Sequence, residues 1–330
     1  MPRIFVFKDF IMLLASFAIL AGLIILVWSA DKFVLGAAAT AKQLGMSPLL
    51  IGMTIVSLGT SAPEIFVSAT ASLQGSGVLA IGNAIGSNIA NMGLVLGITA
   101  LIAPLPIQSK MLKKEIPILF VVTLIAGLAL VNLNIDLMDS ILMFICLAIT
   151  IAWLFRGTKD QQGIVGMDAE EAEELNSMSR GKAIFWLVVG LIALMFSAQI
   201  LVWGAVEVAR NFGISELIIG LTIIAIGTSL PELAASVASA LKGHHDIAIG
   251  NVVGSNIFNL LAVMPIPGLI ATTEVTPEVL YRDYGTMLLI TLFLIGFVYM
   301  FRADGRVGRR AGSLLLLGYF SYLGLLMYQA

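Results

Sequence analysis

Ten apolar segments, each about 20 residues long, follow one another along this chain. A helix needs about 20 apolar residues to cross the hydrocarbon core of a bilayer. Runs such as FAILAGLIILVW do not alternate apolar and polar residues, as the strands of a transmembrane barrel would. Only 12% of the residues are charged, whereas soluble domains carry about 25%. The sequence therefore predicts an all-α polytopic membrane protein with ten transmembrane helices. The predicted spans are 9–36, 48–72, 78–103, 115–132, 136–155, 183–210, 216–240, 246–270, 284–301 and 310–328.

The two halves of the chain are related in sequence. The polar segment 156–182 separates residues 1–155 from residues 183–330, and each half holds five predicted spans. At an offset of 168 residues, roughly half of positions 20–91 are identical without a gap, which is a strong signal of an internal repeat. Because five is odd, the second copy enters the membrane from the opposite side, so we expect two inverted-topology five-helix repeats. The motif regions of the two copies are 52–91 and 220–259.

The distribution of Lys and Arg predicts the orientation. Loops after the odd-numbered spans hold thirteen of these residues, and the other side of the membrane holds four. Cytoplasmic loops carry the excess of positive charge in membrane proteins. We therefore expect the linker 156–182 in the cytoplasm and both termini outside.

A carboxylate next to a proline occurs at the same place in both copies. GTSAPE covers Gly59–Glu64 and GTSLPE covers Gly227–Glu232, each inside a predicted span. Proline frees the backbone carbonyl four residues earlier, and a freed carbonyl in lipid needs a partner. Carbonyl, hydroxyl and carboxylate oxygens within one turn form the kind of ligand set that Ca2+ and Na+ prefer. A glutamate within the membrane is rare and costly, so two of them indicate function rather than packing.

A second motif follows each of these glutamates. GNAIGSNIAN covers Gly82–Asn91, and GNVVGSNIFN covers Gly250–Asn259. In each copy a serine and an asparagine lie four residues apart, so they share one face of a helix. The glycines allow close helix packing, which would bring these spans beside the broken ones. The two pairs are Ser87 with Asn91 and Ser255 with Asn259.

The charge of the two glutamates favours a cation exchanger. Two carboxylates repel each other, and one Ca2+ or two Na+ would neutralise the pair. Ions that share the pair exclude one another, which is the minimum requirement for exchange. A third Na+ would rest on neutral oxygens. The candidates for these are Thr60, Ser61, Thr228, Ser229, Asn91 and Asn259.

Assumed gradients indicate the stoichiometry. With a roughly tenfold Na+ gradient, a roughly ten-thousandfold Ca2+ gradient and about 100 mV, expelling one Ca2+ costs roughly 10 kcal/mol. Two entering Na+ would yield about 7 kcal/mol and three about 11 kcal/mol. Three Na+ per Ca2+ therefore suffice under these conditions, and two do not.

The paired GTSxPE and GNxxGSN motifs resemble the two alpha-repeats of the cation/calcium antiporter superfamily, and in particular the prokaryotic sodium/calcium exchangers. The resemblance covers nearly the whole chain. It implies an electrogenic secondary antiporter that works by alternating access in a prokaryotic plasma (inner) membrane. It also implies Ca2+ and Na+ as substrates, membrane lipid as the surroundings, no cofactor, no nucleic-acid partner and a monomer. Spans 1 and 6 would form a mobile pair that slides across the rest.

The resemblance also implies a ligand set of four adjacent cation sites between spans 2, 3, 7 and 8. Asn91 and Asn259 would flank the middle of the set. The calcium site would use Glu64 and Glu232 with the carbonyls of Thr60 and Thr228. The sodium site nearer the cytoplasm would use Ser57, Thr60, Ser61, Glu64 and Ser87. The outer sodium site would use the carbonyl of Ala225 with Thr228, Ser229, Glu232 and Ser255.

The chain departs from the family's pattern at two positions. Some prokaryotic relatives and the potassium-dependent exchangers carry an acid where this chain has Asn259, which disfavours potassium co-transport here. A close archaeal relative has Ala where this chain has Ser57, a harmless change if the backbone carbonyl is the ligand.

Other functions remain open to test. A proton/calcium or other divalent cation antiporter is the first alternative, and a potassium-dependent sodium/calcium exchanger is the second. An intramembrane hydrolase would need a base near Ser61 or Ser229. The two histidines, His244 and His245, are expected in a surface loop between spans 7 and 8, and a Gly-x-Ser-x-Gly motif is absent. We therefore expect a transporter rather than an enzyme. A pair of carboxylates would also hold ions too firmly for a fast channel.

Overall fold

The computed structural model of this protein describes residues 2–106, 109–156, 175, 177–215, 219–300 and 306–329. The sequence suggests a short acidic helix at 168–175, of which all but Leu175 lies outside the described residues. The described chain is almost entirely helical. Its α-helices are α1 Pro2–Leu44, α2 Pro48–Ile51, α3 Ser57–Thr60, α4 Ala62–Leu73, α5 Gly77–Ala90, α6 Leu96–Ile102, α7 Ser109–Leu130, α8 Leu137–Phe155, α9 Arg180–Asn211, α10 Ala225–Thr228, α11 Leu230–Leu241, α12 His245–Phe258, α13 Ile266–Ile270, α14 Gly285–Met300 and α15 Arg309–Gln329.

Short π-helical turns join several of these helices into longer rods. One π turn links α2 to α3, another links α5 to α6, and their counterparts lead into α10 and α13. A fifth precedes α14. A π turn is a single wider turn that holds one extra residue within an α-helix, and such turns are frequent at functional sites. The π turns are Gly52–Val56, Asn91–Val95, Gly220–Ile224, Asn259–Val263 and Val279–Tyr284.

Two short antiparallel strand pairs connect loops at the ends of the helices. β1 (Leu105–Pro106) pairs with β4 (Arg306–Val307), and β2 (Asn134–Ile135) pairs with β3 (Thr273–Glu274). Each pair joins a loop of the first half to a loop of the second half. The strands therefore fasten the two halves together without forming a layer of their own.

The lengths and apolarity of the helices make this a polytopic membrane fold. Within the described residues, seven helical rods are long and apolar enough to cross a membrane, and two bent helix pairs could each form one further span. The fourth predicted span coincides with α7, which does not meet the same criterion. Lys113, Lys114 and Glu115 lie within it and shorten its apolar part. Nine of the ten predicted spans therefore have a counterpart by length and apolarity in the described chain.

The two bent pairs are the predicted spans 2 and 7. The first bends by 43° between α3 and α4, and the second bends by 53° between α10 and α11. Ser61 and Ser229 lie at the breaks, with backbone angles outside the helical region. Pro63 and Pro231 follow as the second residue of the new helix, where proline's missing N–H costs nothing. The prolines therefore end one helix and begin the next at the same place in both halves.

The long helices α1 and α9 pack against each other along much of their length. A Cβ atom at Gly190 would lie 2.6 Å from the backbone nitrogen of Phe33, so glycine is what permits this close approach. At one point α1 is tied to α11, because Lys242 Nζ lies 2.8 Å from Asp31 Oδ1. These two helices are the predicted spans 1 and 6. The helices α5 and α12 lie in the centre of the molecule, and the side chains of α12 from Ile247 to Phe258 are buried.

Candidate cation-binding site

Both intramembrane glutamates lie in the first turn of the helix that follows a break. Glu64 belongs to α4 and Glu232 to α11, and both side chains are 0% exposed. The breaks bring the two halves into direct contact. The hydroxyl of Ser61 donates a hydrogen bond of 3.1 Å to Oε1 of Glu232. The break of one half therefore touches the carboxylate of the other.

The central helices contribute the remaining oxygens. Ser87 is on α5 and Ser255 is on α12, while Asn91 and Asn259 each begin the π turn that follows. These four side chains are buried. The π turns therefore start at the two asparagines, in line with the frequent occurrence of such turns at functional sites. The sequence predicted their helical spacing but not the π turns.

Ten of the twelve predicted site residues are buried. The two that are only half-buried, Ala225 and Thr228, both lie on α10. Their counterparts at the 168-residue offset, Ser57 and Thr60, are fully buried on α3. The buried ten are Ser57, Thr60, Ser61, Glu64, Ser87, Asn91, Ser229, Glu232, Ser255 and Asn259.

Many polar atoms of these residues have no protein partner. Among the described residues, neither carboxylate oxygen of Glu64 accepts a hydrogen bond, and neither does Oε2 of Glu232. The hydroxyls of Ser229 and Ser255 and the amides of Asn91 and Asn259 are also without a partner in the described part. Buried polar groups in native proteins are normally satisfied, so a cluster of exceptions needs an explanation. A bound cation with oxygen ligands would supply it.

The chemical type of the cluster favours hard monovalent or divalent cations. Its charged members are two carboxylates, and the others are hydroxyls and amides. No cluster of three or more Asp, Glu, His or Cys side chains that could hold a metal occurs in the described ranges. Nitrogen and sulfur ligands of the kind that bind zinc are therefore not grouped here. Oxygen ligands of mixed charge suit Na+ and Ca2+.

Two asparagines that the motif analysis did not assign to the site bind the backbone of the two glutamates. Nδ2 of Asn251 donates to the Glu232 carbonyl at 3.2 Å, and Nδ2 of Asn83 donates to the Glu64 carbonyl at 3.4 Å. Both asparagines follow the first glycine of the GNxxGSN motif and are identical at the 168-residue offset. That identity was the available signal. Their contacts with the glutamate helices could not be read from spacing.

A third pair of asparagines joins the central helices. Nδ2 of Asn88 on α5 donates to the carbonyl of Asn256 on α12 at 3.3 Å. Both residues are buried next to the predicted ligands Ser87 and Ser255. This bond holds α5 against α12 next to the serines that the sequence predicts as ligands.

The structure corrects the interpretation of one histidine. His244 was expected at the surface of a loop, but its side chain is only 1% exposed. It lies at the N-terminus of α12, and its backbone nitrogen donates to the Ser239 carbonyl at 2.8 Å. The connection between α11 and α12 is so short that the residue is drawn into the helix packing. Asp31, near the end of the first predicted span, is paired with Lys242 and Lys32.

A polytopic helical fold with paired carboxylates at two helix breaks defines a membrane cation antiporter, a class to which comparisons with known proteins also point. The family model described as "Sodium/calcium exchanger protein" matches residues 14–156 and 182–328. The chain therefore belongs to the sodium/calcium exchanger family, and it is a transporter rather than an enzyme.

Individual relatives agree with this family. The Escherichia coli protein named inner membrane protein YrbG is 39% identical over 96% of this chain and 98% of its own length. Sodium/calcium exchanger MaX1 of Methanosarcina acetivorans is 30% identical over 94% of this chain and 97% of its own length. A solved structure of the sodium-calcium exchanger NCX_Mj matches with a TM-score of 0.82 and 30% identity, covering 95% of this chain and 98% of that one.

Proposed function

We propose that this protein exchanges Na+ for Ca2+ across the membrane by alternating access, and that exchange is electrogenic with about three Na+ per Ca2+. One observation carries the proposal. Glu64 and Glu232 are fully buried, each in the first turn after a helix break, and three of their four carboxylate oxygens have no partner in the described protein. Two negative charges in a low-dielectric interior are costly unless a bound metal cation or a proton neutralises them.

The ligand assignments follow from this arrangement. Glu64, Glu232 and the carbonyls of Thr60 and Thr228 bind Ca2+. One Na+ site consists of Ser57, Thr60, Ser61, Glu64 and Ser87, and the other of Ala225, Thr228, Ser229, Glu232 and Ser255. Asn91 and Asn259 flank the centre. The bond between Ser61 and Glu232 supports the shared use of both halves, because it brings a proposed ligand of one half into contact with a proposed ligand of the other.

The fold is proposed to comprise ten spans in two inverted five-helix repeats, with residues 1–155 and 183–330 as the repeats and 156–182 as the linker. Three features that recur at the 168-residue offset support it. The helix breaks recur, with bends of 43° and 53°. The π turns at Gly52–Val56 and Asn91–Val95 recur at Gly220–Ile224 and Asn259–Val263. The asparagine bond to each glutamate carbonyl recurs as well.

The protein is proposed to lie in a prokaryotic inner membrane as a monomer, with the linker in the cytoplasm and both termini outside. The asymmetry of Lys and Arg between the two sides supports this orientation. The printed name of the Escherichia coli relative supports the inner membrane. The ligands of both halves come from one chain, so the site needs no second copy.

A flux assay with one gradient at a time tests the function. Purified protein is reconstituted in liposomes, and Na+, K+ or H+ gradients are imposed separately while 45Ca2+ uptake is measured. We expect uptake with the Na+ gradient alone, faster when the membrane potential favours movement of positive charge with Na+. Uptake driven by a pH gradient in sodium-free buffer would identify the proton/calcium alternative. A strict requirement for K+ would identify the potassium-dependent exchanger, and an electroneutral flux would exclude three Na+ per Ca2+.

A further inference from the structure

The two halves of the site differ in one consistent way, although their sequences match. On one side, α12 packs tightly against the helices around α2 and α3. A Cβ atom at Gly250 would lie 2.6 Å from the Leu49 carbonyl, and one at Gly254 would lie 2.5 Å from the Ser57 hydroxyl. At Gly86 on α5, the counterpart of Gly254, a Cβ atom would meet no described atom within 4 Å, and Ala225, the counterpart of Ser57, is among the described residues.

The burial of the surrounding residues shows the same asymmetry. Ser57 and Thr60 on the packed side are 0% exposed, whereas Ala225 and Thr228 on the other side are half-buried. Asn251 is fully buried, and its counterpart Asn83 is only half-buried. One half of the site is therefore closed, and the other half, beside α10, is more exposed.

Two hydrogen bonds exist on the closed side and are missing from the open side. Oγ1 of Thr60 lies 3.1 Å from Oδ1 of Asn251, to which it can donate. Each threonine hydroxyl also lies near the carbonyl three residues earlier, at 3.3 Å from Ser57 for Thr60 and at 3.2 Å from Ala225 for Thr228. Only the contact with the asparagine differs between the halves. Within the described residues, Asn83 makes no bond to Thr228.

The second of these bonds involves the serines at the helix breaks. Ser61 donates to Glu232, while the hydroxyl of Ser229 has no partner in the described structure and does not reach Glu64. Both differences lie at ligands of the proposed cation sites. Closing one side therefore changes the hydrogen bonds of the residues that would bind the ions.

From this pattern we infer that Asn251 and Asn83 are positioning residues that alternately latch the two sides of the site closed. In the present state Asn251 holds Thr60, and in the opposite state Asn83 holds Thr228 in the same way. The amide nitrogen of each asparagine stays on its own glutamate helix, at the carbonyl of Glu232 or Glu64. Each latch would therefore join three helices: the one that carries the threonine (α3 or α10), the one that carries the asparagine (α12 or α5) and the one that carries the glutamate (α11 or α4).

This inference rests on the proposed alternating-access function, but its test needs no transport. In a Cys146→Ser background, Ala225→Cys reports on the open side and Ser57→Cys reports on the closed side. Cysteine is close in size to serine, and Ser57 already fits the closed interface. The equivalent position 225 should therefore also accept a cysteine when its side of the site closes. The rates of modification by a membrane-impermeant thiosulfonate are measured from each side in sealed vesicles of both orientations, in choline buffer with a calcium chelator.

We expect the two asparagine variants to act in opposite directions. Asn251→Ala removes the latch of the present state, so it lowers labelling of Ala225→Cys and raises labelling of Ser57→Cys. Asn83→Ala removes the latch of the other state and does the reverse. We expect Ala225→Cys to be labelled about five or more times faster in the Asn83→Ala variant than in the Asn251→Ala variant. The loss of one hydrogen bond changes the populations of the two states by about this factor. A ratio of one or below would overturn the inference.

A second pair of variants keeps the test valid if the asparagine variants fail to fold. Thr60→Val and Thr228→Val remove only the hydroxyl and keep both the shape of the side chain and the backbone carbonyl. Thr60→Val is expected to act like Asn251→Ala, and Thr228→Val like Asn83→Ala. A purely structural role would change all four variants in the same direction, which would contradict the inference. The protein could fail the Na+/Ca2+ flux assay while the Asn251 and Asn83 variants still change the labelling rates in opposite directions. That result would support the latches and contradict only the proposed transported ions.

Discussion

The hydroxyl of Ser61 donates a hydrogen bond of 3.1 Å to the carboxylate of Glu232, across 171 positions of the sequence. Ser61 lies at the break of one bent helix, and Glu232 lies one turn beyond the break of the other. A single contact therefore joins the two halves at the point where both backbones are interrupted. An ion bound there would be held by both halves at once, so its binding would depend on how the halves are arranged.

Replacing either buried glutamate by its amide should abolish exchange. Glu64→Gln and Glu232→Gln keep the size of the side chain but remove a charge that a divalent cation needs. We expect Na+-driven 45Ca2+ uptake in liposomes to fall by more than about 100-fold, beyond the loss typical of residues that only support a metal ligand. Glu207→Gln is the matched control, because Glu207 is paired with Arg210 at the far end of α9. Full activity in either site variant would overturn the ligand assignment.

Acid should inhibit uptake in competition with Ca2+. Protons and metal ions bind the same carboxylate oxygens, and a carboxylate must be deprotonated to bind a metal. Lowering the pH should therefore raise the Ca2+ concentration for half-maximal uptake, with the maximal rate recovered at high Ca2+. The measurement is initial uptake against Ca2+ at several pH values. Inhibition that high Ca2+ fails to relieve would place the critical proton elsewhere.

A methyl group at Gly190 should weaken the packing of α1 on α9. It would lie 2.6 Å from the Phe33 backbone nitrogen, so the two helices must separate. Overpacking of this kind costs about 1–3 kcal/mol. Gly190→Ala should therefore lower Tm in detergent, despite the better helix propensity of alanine. Gly181→Ala in the same helix meets no described atom within 4 Å and should not lower Tm; equal losses would mean that the close crossing is not the cause.

The ion pair between Asp31 and Lys242 should show charge-specific coupling. The two side chains are 38% and 24% exposed, so the pair is partly screened by solvent. Asp31→Lys should lower transport, and adding Lys242→Asp should recover part of the loss by restoring the attraction. The coupling in a double-mutant cycle of Tm values should amount to at most about 1 kcal/mol. A double variant worse than either single change would show that the two charges act independently.

The apolar segments and the repeated motifs predicted much of this protein correctly. They predicted helices at all ten expected places, of which nine are long and apolar enough to cross a membrane when each bent pair counts as one span, and they predicted both helix breaks and the glutamates beside them. These features are local, because a proline breaks the helix that contains it and a serine four residues from an asparagine shares its face. The π turns, the burial of His244 and the bond from Asn251 to Thr60 were not predicted. Each depends on residues far apart in the sequence or on the exact fit of neighbouring helices.

By itself, the sequence determined that the chain crosses a membrane, that its halves share one plan, and that two acids lie at equivalent breaks. Only the tertiary structure decided that Thr60 is held by Asn251 while Thr228 is not held by Asn83. The physical reason is that both copies carry the same residues at these positions, so either half could close. Which half is closed depends on the packing of all the helices together, and this packing cannot be predicted from a local sequence pattern.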